Sequence, residues 1–221
     1  MSLVQNKKRS EATKSGSKQE VVIVRYNAGN IQSVLFALER IGITGEVTDD
    51  VDKIRSADKV IFPGVGEAST AMHYLKERGL DTVIKNLKQP VLGICLGLQL
   101  MCKYSEENAT DCLGIFDERV KLFSPSSRER SATGDPFKVP QIGWNSIYDL
   151  KTDLFKGVKE KSFCYFVHSY YASTGDHTIA TTNYIQPYSS ALQKDNFYGV
   201  QFHAEKSAEV GEQILTNFLS I

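Results

Sequence analysis

The stretch "VLGICLGLQL", residues 91–100, sets a cysteine between two glycines at the end of an apolar run. Residues 91–95 read as a buried strand, and a helix over 97–104 starts directly after it. A thiol carried out of the core at such a junction has two readings. Free cysteine is a common packing residue. A strand ending in Gly-x-nucleophile-x-Gly is also the pattern of a nucleophile elbow, where a sharp strand-to-helix turn presents the reactive atom. Gly93 and Gly97 suit the second reading, because a side chain at either would crowd the turn.

Outward from this junction, strands and helices alternate. "VVIVRY" (21–26) and "KVIFPG" (59–64) are apolar, β-branched runs. "NIQSVLFALERIG" (30–42) sets Ile31, Val34, Leu35, Leu38 and Ile41 at helical spacing and stops at Gly42. "EASTAMHYLKERG" (67–79) and "LDTVIKNLK" (80–88) read as further helices. Such alternation with continuous apolar strands predicts an α/β fold with a mostly parallel central sheet and helices on both faces. The second half changes character. Residues 162–172, 178–183, 190–194 and 196–205 are strand-like, rich in aromatic and β-branched residues, and 207–221 is a closing amphipathic helix. The expected organisation is a flexible polar tail over 1–20 and a single domain over 21–221 with a β-rich C-terminal half. "SPSSRERSATGDPFK" (124–138) reads as a long polar loop.

The 221 residues are 41% apolar, enough for one full core, and 26 basic residues balance 26 acidic ones. That balance gives no argument for nucleic acid or an anionic membrane as partner. No apolar run approaches the ~20 residues of a membrane span, and no secretory signal is visible. The four cysteines are therefore expected as reduced thiols in a cytoplasm. They lack CxxC spacing and the four histidines are scattered, so no metal site is expected.

A thiol nucleophile needs a lowered pKa or a base. A helix starting beside Cys95 would favour the thiolate. Among the histidines, His73 lies in a helical pattern and His177 in a polar turn, both expected at the surface. His168 and His203 end strands and can reach a cleft at the sheet edge. In extended backbone Glu205 would project on the side of His203 and orient one ring nitrogen. His203 is therefore the favoured base and Glu205 its orienter. "PGVG" (63–66) ends another strand. An N–H of the Val65–Gly66 segment and that of Leu96 are candidate donors to an oxyanion. Glycines on both sides of Val65 would also let that peptide turn away.

"PGVG", "GICLGLQL" and "VQFHAEKS", in this order, together with "GNIQSVLFALERIG", "KVPQIGWNSI" and "YFVHSYYA", make 21–221 resemble the class I (triad) glutamine amidotransferases, in detail the glutaminase subunits of imidazole glycerol phosphate synthase. The resemblance implies Cys95 as nucleophile, His203 as base and Glu205 as third triad member. It implies an oxyanion hole from the PGVG strand and Leu96. It further implies glutamine binding by Gly66, Gln99, Glu107, His168, Ser169 and Tyr170. Asn30, Trp144, Asn145 and Lys206 would lie toward a partner, a (β/α)₈-barrel cyclase of histidine biosynthesis that receives the ammonia. No cofactor or metal is implied. Ala204 stands where the family usually has Pro, and Gln141 where its pattern has His.

Overall fold

A computed structural model of the chain describes residues 19–27, 30–125, 134 and 137–221. The first half runs β1 (Val21–Val24), α1 (Ile31–Arg40), β2 (Gly45–Thr48), α2 (Val51–Ser56), β3 (Lys59–Gly64), α3 (Ala68–Glu77), α4 (Leu80–Lys85), β4 (Val91–Cys95) and α5 (Leu96–Met101). The second half adds β5 (Tyr104–Ser105), β6 (Thr110–Asp111), β7 (Arg119–Leu122), β8 (Gln141–Ile147), β9 (Ser162–His168), β10 (Tyr170–Ala172), β11 (Thr178–Asn183), β12 (Pro187–Lys194), β13 (Phe197–Val200) and α6 (Ala208–Ser220).

Among the described residues, the strands form an eleven-stranded sheet in the order β2-β1-β3-β4-β13-β12-β10-β7-β5-β6, with β11 on β12. The contiguous run from β2 to β13 is parallel. β12 returns antiparallel to β13, and the second half extends the sheet mainly by antiparallel pairs. β8 and β9 form a separate hairpin. Alternating strand residues feed two cores. Val22, Val24, Val60 and Phe62 pack with α2, α3, α4 and α5. Val21, Ile23, Ile61, Leu92 and Ile94 pack with α1, α6 and the hairpin. The expected α/β architecture, helices on both faces of a mostly parallel sheet, is therefore present.

Several boundaries differ from the sequence reading. α5 begins at Leu96 and ends at Met101. The run 162–172 is two strands that part at Ser169, and the run 196–205 leaves the sheet after Val200. β2, α2, β7 and β8 had no matching expectation. "GEVT" lies at the sheet edge and "VDKIRS" is a single polar-faced turn-and-a-half, so neither carries an apolar run. Asp50 starts α2 by accepting from the N–H groups of Asp52 and Lys53. The expected tail lies outside the described residues over 1–18. Its last two members are tied to the domain: Gln19 Nε2 donates to Leu219 O, and Glu20 N–H to Asp58 Oδ2. Much of the loop over 124–138 also lies outside the described residues.

The junction that opened the sequence reading is tightly closed. A Cβ on Gly97 would lie 1.8 Å from the carbonyl oxygen of Phe62, on β3. A Cβ on Gly93 would lie 2.8 Å from main-chain atoms of both Gly97 and Leu98. Both obstacles are backbone, so they cannot rotate aside. Gly97→Ala is expected to lower unfolding free energy in urea by ~1–3 kcal/mol or more, whereas Gly42→Ala, at an open turn, should cost less.

Candidate active site

β3, β4 and β13 end together at the carboxyl edge of the parallel sheet, where open α/β sheets carry their sites. Gly64 is the register partner of Cys95, and Ile94 that of Val200. Cys95 takes φ 54° and ψ −106° between strand and helix. A non-glycine residue there is strained, as at a nucleophile elbow. Its thiol lies on a cavity of ≈ 300 Å³.

His203 is brought to this thiol from β13. Its Nδ1 lies 2.8 Å from Glu205 Oε1, and both side chains are almost wholly buried. The expected juxtaposition is present, but its local cause is different. The chain is no longer extended here: Ala204–Lys206 is a 3₁₀ turn closed by Lys206 N–H on His203 O at 3.0 Å. The turn, not a strand pleat, folds Glu205 back onto the ring. Burial works to lower the His203 pKa, but contacts with Cys95 and Glu205 outweigh it and raise it to about 10. Ala204 therefore sits in a turn rather than in a strand beside His203.

The second strand-end histidine is in the opposite state. His168 Nδ1 lies 2.7 Å from Tyr170 O and Nε2 lies 3.3 Å from the Tyr188 hydroxyl. Burial drives its pKa down to about 4. With both nitrogens engaged and the ring neutral, His168 is not placed to take a proton from Cys95. Of the two remaining histidines, His73 is exposed as expected. His177 is not a free surface group: its Nδ1 lies 3.0 Å from the buried Glu118 carboxylate.

The cavity wall contains Val65, Gly66, Leu96, Gln99 and Glu107, and the His168–Ser169–Tyr170 segment closes one side. Gly66 has φ 122°, a conformation that L side chains rarely adopt. Leu96 is the first residue of α5, so its N–H has no intrahelical acceptor. Glu107 accepts from Ala68 N–H at 2.7 Å, and burial raises its pKa. Gln201, which the sequence reading passed over, is fully buried and points Nε2 at Cys95 Sγ from 3.7 Å. Gln99 Nε2 holds it through Gln201 Oε1 at 3.0 Å. The available signal was a polar residue inside the apolar run "YGVQF". The other thiols are kept protonated by burial, Cys112 and Cys164 with pKa values of about 12 and Cys102 well above its usual value.

The residues expected toward a partner divide. Trp144 is 53% exposed on the outer face of the hairpin, beside Ile142 and Phe163. Lys206 is exposed at the cavity rim. Asn145 donates to Asn183 O at 3.1 Å, and Asn30 donates inward to Glu205. Gln141 does not face outward either: it is buried and its Oε1 accepts from the Tyr188 hydroxyl at 3.0 Å.

His168 carries a pH prediction. Its folded pKa lies below the unfolded value near 6.5, so the unfolded state binds the extra proton between about pH 6.5 and 4. Stability should fall as pH drops through that window, by about 3 kcal/mol from this group. Urea unfolding of His168→Asn across the same range should show a shallower decline than wild type. An unchanged slope would contradict the neutral buried state.

The family model for "Glutamine amidotransferase class-I" matches residues 19–221. A Bacteroides fragilis protein named "Imidazole glycerol phosphate synthase subunit HisH" is 57% identical over 202 residues, covering 91% of this chain and 100% of its own. The Haemophilus influenzae protein of that name is 46% identical, covering 90% and 96%. Among solved structures, a glutamine amidotransferase matches with TM-score 0.67 at 17% identity, covering 90% and 97%. PurLQS from Thermotoga maritima matches with TM-score 0.62 at 16%, covering 92% and 99%. These two likenesses bear on the fold alone. By sequence, the chain belongs to the class I glutamine amidotransferase family, and the two relatives above are named as HisH subunits of imidazole glycerol phosphate synthase.

Proposed function

We propose that this chain is the glutaminase subunit of an imidazole glycerol phosphate synthase, with Cys95, His203 and Glu205 as its triad. The observation that carries the reading is a single one. A cysteine held at φ 54° on a strand-to-helix elbow shares a cavity with an imidazole locked 2.8 Å from a buried carboxylate. The Cys95 thiolate attacks the side-chain amide carbon of glutamine. The oxyanion settles on the N–H of Leu96 and one of the Val65–Gly66 segment. His203 passes its proton to the departing nitrogen, releasing ammonia. Water, deprotonated by His203, then cleaves the γ-glutamyl thioester and regenerates the thiol.

Gly66, Gln99, Glu107, His168, Ser169 and Tyr170 are proposed to hold the glutamine. His168 serves in shaping the wall and positioning main-chain groups, in keeping with its neutral, fully bonded ring. Gln99 does so partly through Gln201. The ammonia passes to a (β/α)₈-barrel cyclase, and the hydrophobic outer face around Trp144, with Lys206 nearby, is the proposed contact. The half-reaction on this chain calls for no cofactor. Among the described residues no helix is long and apolar enough to cross a membrane, and a cytoplasmic location accords with the biosynthetic role.

The test uses the assembled complex. Cys95→Ala should abolish glutamine-dependent synthesis and leave ammonia-dependent synthesis intact. A 6-diazo-5-oxo-norleucine label should map to Cys95 and not to the three thiols held protonated. His203→Ala should cost ~10²–10⁴-fold in glutamine hydrolysis, and Glu205→Gln less, because it orients rather than transfers. Labelling spread over all four cysteines, or Glu205→Gln exceeding His203→Ala in folded protein, overturns the assignment.

The isolated chain should be a slow glutaminase. With glycines on both sides of Val65, the oxyanion donor can turn away at low cost, and one missing donor costs ~10²–10³ in rate. Glutamine hydrolysis measured alone, with cyclase, and with cyclase plus its nucleotide ligand should rise in that order. Full activity in the isolated chain, unchanged by either addition, would falsify this switch and leave the triad untouched.

A further inference from the structure

We infer that Asn30 is a positioning residue for the triad: its amide fixes the Glu205 oxygen that orients His203. The proposal deepens the glutaminase reading above and rests on it.

Asn30 Nδ2 donates to Glu205 Oε1 at 2.8 Å, the same oxygen that meets His203 Nδ1 at 2.8 Å. Glu205 Oε2 is buried and, among the described residues, has no hydrogen-bond partner. The whole hold on this carboxylate therefore passes through one oxygen and two donors. Arg40 lies close by but spends its charge elsewhere: Nε bonds Glu212 at 2.6 Å and Nη2 reaches only the main-chain oxygen of Glu205, at 3.4 Å. Lys206, the next residue, is exposed. A carboxylate held by the imidazole alone could rotate about its last torsion and offer either oxygen. A second donor on Oε1, from a different element, removes that freedom.

The local backbone at Asn30 points the same way. Asparagine before a helix normally turns its side-chain oxygen onto the first helical N–H groups. Asn30 precedes α1 and makes no such side-chain cap. It adopts φ 74° instead, a left-handed conformation that asparagine tolerates better than most residues. Its Oδ1 accepts from Ser33 Oγ at 2.6 Å, which sets the amide so that nitrogen faces Glu205. The result is a continuous chain from Ser33 through Asn30, Glu205 and His203 toward Cys95. The family resemblance implies that Asn30 lies toward the partner. The amide is turned inward, onto the side of the triad remote from the cavity wall.

The test compares Asn30→Gly and Asn30→Asp with wild type in complex with the cyclase, at saturating cyclase. Glycine adopts φ 74° without strain, so it removes the amide while keeping the turn. Aspartate keeps shape and turn but replaces the donor with an acceptor. Asn30→Gly should lower kcat for glutamine hydrolysis by ~10²-fold with KM for glutamine changed by less than about threefold, because positioning rather than binding is lost. Asn30→Asp should be equally impaired near about pH 8 and recover in part toward about pH 6, since a proton shared by the two carboxyl groups again donates to Oε1. Wild type and Asn30→Gly should show no such recovery. A kcat within about twofold of wild type for both variants overturns the proposal. So does a loss seen at limiting cyclase that disappears at saturating cyclase, which would make Asn30 an interface residue only. A wild-type complex that does not hydrolyse glutamine at all overturns the glutaminase reading itself, a result distinct from either.

Discussion

The approach of α5 to the strand beside it governs this molecule. Gly97 lies so close to the carbonyl of Phe62 that even a methyl group has no room. Given that contact, the chain must turn within one residue at the end of β4, and Cys95 absorbs the turn at φ 54°. Strain of this kind costs ~1–3 kcal/mol. It persists because both sides of the junction are anchored: Val91, Leu92 and Ile94 are buried in the sheet, and Leu96, Leu98 and Leu100 in the core beneath α5. The thiol is thus aimed by packing at atoms that take no part in its chemistry.

Two histidines at neighbouring strand ends show how far environment, rather than residue type, decides function. Both are buried. His168 is caged by a carbonyl, a phenol and the rings of Phe123 and Phe166, and burial, aided by the nearby His203 and opposed by the Tyr170 carbonyl, lowers its pKa to about 4. His203 has a carboxylate on one nitrogen and a thiol facing the other side, and the same burial is overcome. The two states differ across neutral pH by a full charge. Two buried imidazoles are thus driven in opposite directions from one ordinary value by what each ring touches.

Most of the first half was legible because β1, β3 and β4 are buried along their whole length and read as unbroken apolar runs. Gly93 and Gly97 gave the junction for the same reason: a residue without a side chain marks a close approach. The polar elements were not legible. β2 sits at the edge with Glu46 outward, and β8 alternates Ile142 and Trp144 into solvent, so neither resembles a core strand. At the site, His203 and Glu205 were found by assuming an extended chain, yet a 3₁₀ turn brings them together. Spacing of two residues serves both geometries, so sequence could not separate them. Gln201 and the inward amide of Asn30 were missed because each acts through a contact far away in the chain, 106 residues for Gln201 and Cys95, 175 for Asn30 and Glu205.

That distance has a consequence for how the molecule is made. β13 enters the sheet between β4 and β12, although nearly half the chain separates it from β4. Its parallel pairing must bear a large loop-closure entropy before any ladder forms, which makes it a slow, late event. The elbow can form from local neighbours, whereas the imidazole arrives only with the last strand. Until β13 has docked beside β4, the thiol on its elbow lacks the neighbouring imidazole of His203.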